Sequence, residues 1–583
     1  MSGERIVQIV EIELDFCTRT FGVAPCMAAL GVNGVVRKCY NTFPTCDYKQ
    51  AYRKGVNTLR FIEPSYSVKG GNYIPALRSV SGNEQEVNIA GFSDRAVGLG
   101  VRASVKVTIN DFTDRDTLTD KYWAERMSGA AQIDEPWYDP IDRGTFWTKL
   151  KARNPNYSGR PLRVIQAHYD AAGALVYDKV RHYVIEDISG PGNTGRVDIE
   201  AKDILALAED KKALAPSTSI GRLLADITVD QTTITLTPAG VGPSYAAAGH
   251  ITIGSEIMRF TRVGDVLTLV RGQLGTEAAA HNANDTVQQA FHVNRVRADT
   301  VIRSLLIDYA KINPAYIDFP SWQAEFDKWG ATLVLSATVC KPTGVSTLIS
   351  EINQLGVTVW WDEVDQLIKI KLNHPPEELP VSISDRNNLM KIQQDDNDDA
   401  RTTRVSLWSV QIDPTKDLSK ENFLRNYITV FVDGENPNYY NEATTKELRT
   451  RWLNHGDDAA GKIITGRLLL RFRSAPVTYT VVLDYKDDLQ LTDVVSLTSH
   501  VVTDITGKEV PTLAQVFYRA DTKAGSTITA KLQRFLYDSR YGNITENTRP
   551  TYALSTAEQR IKGTYLVGPS LLFGDGSGPY RFI

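Results

Sequence analysis

Alternation of apolar and polar positions dominates the chain. Val101–Ile109 (VRASVKVTI), Leu162–Ala167 and Arg181–Ile185 repeat with period two, as half-buried strands do. Leu175–Tyr177 leads into Arg181–Ile185 after the turn Asp170–Gly173. Arg196–Ile199 adds a strand before a short predicted helix, Ala201–Ala208. Together these predict a β-barrel-like domain over residues 1–211. Ala213–Ser219 reads as a linker by its Pro and Ser content. Beyond it, Ile234 and Leu236 alternate with threonines, and Ile257–Val263 and Val266–Val270 flank Gly264–Asp265 as a hairpin. A small inserted β domain is expected over 212–292.

The period then changes. Ile302, Leu305, Leu306 and Tyr309 form a helical stripe that Asp299 is placed to cap. Val345, Leu348, Ile349, Ile352 and Leu355 form a second stripe, stopped by Gly356. Val357–Trp361 and Leu367–Leu372 make a hairpin around Asp362–Gln366, so 293–400 reads as an α/β domain. Its end, Asp395–Asp399, reads as an acidic loop. Strands resume over 401–550: Val405–Ile412, Tyr427–Val432, Leu468–Phe472, Val477–Leu483, Val494–Leu497, Ala514–Arg519 and Ser526–Leu532. One helix, Glu442–Leu453, interrupts them. This is a second barrel-like domain. Residues 551–583 end in the Gly-rich run Gly574–Gly578 and read as an extended arm ordered by a partner. The fold class expected is mainly β with α+β insertions, in several domains.

Composition narrows the function. At 42% apolar and 23% charged residues the chain has ample material for packed cores. A net charge of −4 supplies no basic surplus for non-specific binding to nucleic acid. Glu4, Glu11 and Glu13 stand where the apolar core of a secretory signal would be, and no stretch approaches the ~20 apolar residues of a membrane span. A cytoplasm that keeps thiols reduced is therefore the expected place of folding.

That matters for the cysteines. Four of the five fall between positions 17 and 46: Cys17, Cys26, Cys39 and Cys46, spaced C-x8-C-x12-C-x6-C. Four thiolates on one loop can close a tetrahedral sulfur site. The wide spacing lacks the C-x2-C pairs of zinc knuckles and favours an iron–sulfur cluster, with zinc, late disulfides and unconnected thiols still open. Basic neighbours (Arg19, Arg37, Lys38, Lys49, Arg53, Lys54) are expected to depress the thiol pKa values. Gly22, Gly31 and Gly34 permit the turns, and Phe16, Phe21, Tyr40 and Phe43 suit an apolar shell. Cys340, after an apolar run, reads as a small buried hydrophobe.

Catalytic signatures are missing from the sequence. H-E-x-x-H and G-x-S-x-G are absent, and the eight histidines show no pair at ligand spacing. Gly456–Ile463 (GDDAAGKI) matches G-x-x-x-x-G-K but lacks the Ser or Thr that would hold magnesium, and a helix is expected to precede it. The aspartates of 395–399 lack the spacing of a calcium loop. Trp360 and Trp361 read as core or subunit-interface residues. No enzyme activity is expected.

Several blocks carry a resemblance. FCTRTFGVAPC…KCYNTFPTC, GRPLRVIQAHYDAAGALVYDKVRHYVIEDI, AKDILALAEDKKALAPSTSIGRLLADI and ITIGSEIMRFTRV…LTLVRGQLGTEAAAHNANDTVQ resemble tail hub proteins of long-tailed, non-contractile bacteriophages and gene-transfer agents, of the iron–sulfur-containing type. These blocks lie within residues 16–290. The resemblance implies a structural virion protein: a homotrimeric ring closing the distal tail tube. Two hub barrels per subunit would match the sixfold tube-protein ring above, and a threefold face would receive a central fibre or tail tip protein below. Phage DNA would pass through without sequence-specific binding, and the tape measure protein is a further expected contact. Assembly would occur in the host cytoplasm, with no stable membrane anchor. Some members hold a [4Fe–4S] cluster on four cysteines. Carried over, Cys17, Cys26, Cys39 and Cys46 become its ligands, with zinc in the same site as the alternative. An iron–sulfur redox enzyme and a zinc-bearing nucleic-acid module are the competing readings.

Overall fold

β1 (Val7–Cys17) explains the first domain by its parity. Its even positions Val10, Ile12 and Leu14 are buried in one core, while Val7 and Ile9 are buried on the other face. The same odd face then turns ionic, with Glu11, Glu13 and Asp15. Those carboxylates meet bases on the neighbouring strands β2 (Lys54–Ile62) and, further along, Pro161–Tyr169. Glu11 lies opposite both Arg60 and Arg163 in the register and pairs with each at 2.8 Å. A computed structural model describes residues 7–561 except 67–71, 83, 90–98, 101–102, 210, 375–379, 397–400, 439–441, 457, 474–476, 485–486, 488, 524–526, 535–540, 543–549 and 552–553, and also 581–582. The Gly574–Gly578 run lies outside the described residues.

The remaining strands of this part are β3 (Tyr73–Ile74), β4 (Leu77–Gly82), β5 (Gln85–Glu86), β6 (Ser104–Asn110), β7 (Pro161–Tyr169), β8 (Leu175–Ser189) and β9 (Arg196–Lys202). All but β5 join one eight-stranded sheet, ordered β3-β2-β1-β7-β8-β9-β6-β4. Two short helices lie between β6 and β7: α1 (Trp123–Ser128) and α2 (Phe146–Arg153). A Thr145–Thr148 capping box starts α2, which buries Phe146, Trp147 and Leu150 in the sheet's core. Each such side chain contributes about 1.5–3 kcal/mol by leaving water. The helix expected over Ala201–Ala208 is shorter. Ala201 and Lys202 close β9, and Ile204–Glu209 forms a 3-10 turn. Ala213–Ser219 is no free linker either. β10 (Leu214–Ala215) pairs with Thr343–Gly344, and Ala213 and Ala215 are buried, because small apolar residues fit under the adjoining core.

Next come β11 (Arg222–Leu223), β12 (Thr233–Thr237), β13 (Ala248–Ile253), β14 (Glu256–Val263), β15 (Val266–Val270) and β16 (Gln288–Gln289), a six-stranded sheet with its own core. One buried carboxylate ties its loops. Glu256 accepts from Arg271 at 2.8 and 2.7 Å, from Gly272 N at 2.9 Å and from Ala279 N at 3.0 Å, and lies 2.9 Å from His281 Nε2. Burial alone would raise its pKa, but Arg271, His281 and the two N–H groups outweigh burial and hold it at about 2, below the ordinary 4.5. Its contribution to stability is therefore full above pH ~4.5 and is lost as pH falls toward 2. Glu256→Ala is expected to cost about 3–5 kcal/mol and to flatten that acid limb, measured by thermal melts of the domain across pH 2–6.

The α/β part holds β17 (Phe291–Arg297), α3 (Ala298–Ser304), α4 (Phe319–Trp329), β18 (Val334–Val339), β19 (Thr343–Gly344), α5 (Val345–Asn353), β20 (Val357–Asp362) and β21 (Leu367–Leu372). The two predicted stripes face the core, though Tyr309 is only partly buried and the first stripe passes from α3 into a π-helical turn over Leu305–Tyr309; Gly356 (φ 93°) ends the second. Asp299 does not cap α3. Arg297 takes the cap position, while the buried Asp299 carboxylate accepts from the Arg297 guanidinium and from Thr300 N.

β22 (Val381–Ser384) and β23 (Leu389–Asp396) belong to the last large sheet, so Asp395 and Asp396 lie in a strand and not in a loop. A three-stranded sheet follows from β24 (Arg404–Gln411), β25 (Phe423–Val430) and β26 (Thr445–Arg449). Then come α6 (Asp458–Phe472), β27 (Val477–Asp484), β28 (Val494–Thr498), β29 (Thr512–Lys523) and β30 (Thr527–Arg534). Two expectations are reversed here. Thr445–Arg449 is a strand, because it gains a parallel pairing to β24 that outweighs its helix propensity. Leu468–Phe472 is helix, because a short leucine run fits either state and this one closes the apolar face of α6. The last sheet runs β22-β28-β29-β30-β27-β23, with β5 pairing β29. The two large sheets curl as half-barrels in a mainly β chain, 40% strand and 18% helix.

Four charged side chains join these sheets. Arg181 on β8 reaches Glu363 at 3.4 Å and Asp521 on β29 at 2.6 Å, and Arg519 on β29 reaches the same two acids at 3.6 Å. Gln85 donates to Glu363, and Glu363 O accepts from His182 N at 3.1 Å. Trp360 and Trp361 lie beside this junction, both buried in the core.

Candidate metal centre

β1 and β2 are held in register up to Cys17 opposite Lys54, and the chain between them makes the long excursion 18–53. Only Lys49–Ala51 in it forms a regular turn. Connections that long without structure are uncommon in compact domains. The excursion exposes much of its apolar content, including Val23, Met27 and Val32. What orders it is polar. Cys17 N donates to Asn41 O at 2.6 Å, Thr18 N to Arg53 O at 3.0 Å, and Lys38 N to Ala131 O at 2.7 Å. Gly22, Gly31 and Gly34 all take positive φ, as their turns require.

The four sulfurs lie within electrostatic range of one another: Cys39 feels Cys46, Cys17 and Cys26, and Cys46 feels Cys17 and Cys26. Each of Cys26 and Cys46 closes a turn, donating its N–H to Val23 O and Phe43 O. The Asn41 backbone N–H bonds the Cys39 thiol and the Tyr48 backbone N–H bonds the Cys46 thiol, each two residues on. Burial still pushes Cys39 up to about 11, helped by Cys46, Cys17 and Cys26. Burial likewise raises Cys46, with Cys17 and Cys26 adding to it. All four are free thiols, and Cys17, Cys26 and Cys46 are buried. Among the described residues, no three His, Cys, Asp or Glu side chains stand close enough to hold a single ion.

The basic neighbours do not depress these two thiols, contrary to expectation. Arg37 pairs with Asp134, Lys38 with Glu125, and Lys54 with Asp15. Lys49 sits over the Phe43 ring and Lys38 over Tyr122. Committed to carboxylates and rings, they leave burial as the main influence on the thiols. Tyr40 lies under Arg126 and Arg153, and Phe43 is half exposed, so the apolar shell is partial.

Sequence reasoning missed the support beneath the loop, which comes from about a hundred residues away. Arg126 on α1 is fully buried, pairs with Asp120 at 2.6 Å, and donates to Lys38 O and Cys39 O. Lys121 donates to Cys17 O and Arg19 O, and Tyr122 Oη accepts from Phe21 N at 2.7 Å. No local pattern announces such contacts.

The other candidates resolve simply. Cys340 is buried, and burial pushes its thiol up to about 12. Gly456–Ile463 follows a strand and not the expected helix, but Gly461 lies inside α6, where a Cβ would sit 2.5 Å from the Tyr427 ring. That glycine serves close packing of α6 on β25. Of the aspartates at 395–399, those at 398 and 399 lie outside the described residues. His250 and His292, distant in sequence, meet as a tilted pair with ring centroids 4.3 Å apart, and burial lowers both, His250 to about 4. No described helix is long and apolar enough to cross a membrane.

No family model matches the chain, and no curated protein matches it. Among solved structures it is similar to a tail protein from Neisseria meningitidis MC58 (10% identity, TM-score 0.37, covering 79% of this chain and 96% of that one). It is similar also to the 43 kDa tail protein of prophage MuSo2 from Shewanella oneidensis (9% identity, TM-score 0.34, covering 79% and 98%). A third is prophage tail protein gp18 from Listeria monocytogenes EGD-e (12% identity, TM-score 0.29, covering 65% and 86%). At TM-scores below 0.5 these are likenesses only, and the chain's own residues have to carry its function.

Proposed function

We propose that this chain is a structural virion protein, a tail or baseplate hub whose copies close into a homotrimeric ring at the distal end of a tail tube. The ring links the tube to a central fibre or tip and forms part of the path for DNA. Cys17, Cys26, Cys39 and Cys46 hold an iron–sulfur cluster there as a staple, and the chain performs no turnover.

The observation that carries the staple is the four-thiol neighbourhood on an otherwise weakly packed excursion. Backbone N–H groups two residues beyond Cys39 and Cys46 already serve their sulfurs. A lone tetrahedral zinc, with Zn–S near 2.3 Å, needs its sulfurs within about 4 Å of one another. Among the described residues no three such side chains are gathered at single-ion distance, so the preference for a cluster rests on ligand type, number and spacing. Two half-barrel sheets joined by a buried ionic network suit a subunit that repeats its architecture around a ring. A mildly acidic chain suits a channel through which DNA slides without sticking.

The assembly half is tested by light scattering and negative-stain microscopy of the full chain, alone and with a tail-tube ring. Three copies per particle with sixfold-like outline, capping the tube, are expected. A chain that stays monomeric and leaves tubes uncapped would defeat it.

A further inference from the structure

Tyr52 closes the excursion, between the 3-10 turn Lys49–Ala51 and β2. Its N–H donates to Lys49 O at 3.1 Å. Its ring meets Phe43 edge-on, centroids 5.2 Å apart, and Phe43 O in turn accepts from Cys46 N. The ring is thereby fixed against the Cys46 turn. Its hydroxyl, though, is buried without any hydrogen-bond partner. A buried unmet hydroxyl costs about 1–3 kcal/mol, and native structures seldom keep one without a use.

Three groups that can carry negative charge act on this hydroxyl. Burial raises the phenol to about 12, and Asp15, Cys17 and Cys46 add to that, so these three lie near it and the proton stays on oxygen. Asp15 is already engaged by Lys54 at 3.1 Å and by Arg160. That leaves the sulfurs. We propose that Tyr52 Oη donates its hydrogen bond to a ligand sulfur on the Cys17–Cys46 side of the site, as a positioning residue. The inference rests on the reading of the four cysteines as cluster ligands. A hydrogen bond to a ligand sulfur draws charge from it, favours the reduced state and raises the reduction potential.

The test is a potentiometric titration of anaerobically purified full-length protein, followed by visible absorbance and electron paramagnetic resonance, for wild type and Tyr52→Phe. Phenylalanine keeps the contact with Phe43 and removes only the donor. The variant is expected to hold the same iron per chain with a lower midpoint. The shift should be about tenfold in the reduced-to-oxidised ratio at fixed potential, or about 59 mV for one electron. Tyr52→Trp, which restores an N–H donor, should recover part of the shift. Tyr157→Phe, which alters a hydroxyl bonded to Asp187 and Ile188, should show none. An iron-replete Tyr52→Phe with the wild-type midpoint overturns the inference alone. Wild-type protein without iron overturns the cluster reading and this inference with it.

Discussion

Cys26→Ser is expected to abolish metal binding by the purified chain and to turn residues 18–53 into the first site of proteolysis. The expectation follows from what holds that segment. Its apolar side chains Val23, Met27, Val32 and Phe43 stand at the surface, so little hydrophobic burial opposes its conformational entropy. A few backbone hydrogen bonds and the Arg126 and Lys121 donors remain, each worth about 0.5–1.5 kcal/mol, or 1.5–3 where charge assists. Metal binding to a site absent from the unfolded chain is folding free energy, on the order of 10 kcal/mol for thiolate sites. Removing one ligand of four forfeits most of it. Iron content, limited proteolysis and ring assembly are the readouts. A cluster-free Cys26→Ser protein that assembles fully and resists protease would remove the stapling role.

Glu363→Ala is expected to uncouple the two half-barrels. Glu363 lies between Arg181 of the first sheet and Arg519 of the second, all three almost wholly buried. Burial pushes its carboxyl up, with the two arginines opposing. Without it, Arg181 keeps only Asp521 as acidic partner among the described residues, and two guanidinium groups share a dry junction. Breaking a buried pair in this way costs about 3–5 kcal/mol. Calorimetry should show a single transition in the wild type and two in the variant, because Glu363 bridges Arg181 of the first sheet and Arg519 of the second. Glu363→Gln, which keeps the shape and the contact with Gln85, should fall between. An unchanged calorimetric trace in Glu363→Ala would mean that apolar packing alone joins the halves.

How much of this the sequence disclosed depended on the range of the forces involved. Strands with period two were legible in β7, β9 and β14, where one face meets a core, but β1 and β2 went unread although they too face one. The stripes at Ile302–Leu306 and Val345–Leu355 were legible for the same reason. Where pairing came from far away, local propensity misled: Glu442–Leu453 reads as helix until β24 is there to receive Thr445–Arg449. The cysteines announced themselves by type and spacing. Their surroundings did not, because Arg126, Lys121 and Tyr122 come from the segment between β6 and β7 and carry no local pattern. Tyr52 was within the loop, yet a tyrosine among basic residues signals nothing until its hydroxyl is seen to lack a partner. The basic residues misled in the opposite sense, since their carboxylate partners, Glu125 and Asp134, are equally distant.

The most direct measurement is iron and acid-labile sulfide per chain in full-length protein purified without oxygen, with its absorbance near 400 nm. About four of each with a broad brown band is the expected result, lost together in Cys17→Ser, Cys26→Ser, Cys39→Ser and Cys46→Ser. Colourless protein with neither iron nor zinc, and thiols that all react freely with an alkylating reagent in the folded chain, would contradict the account.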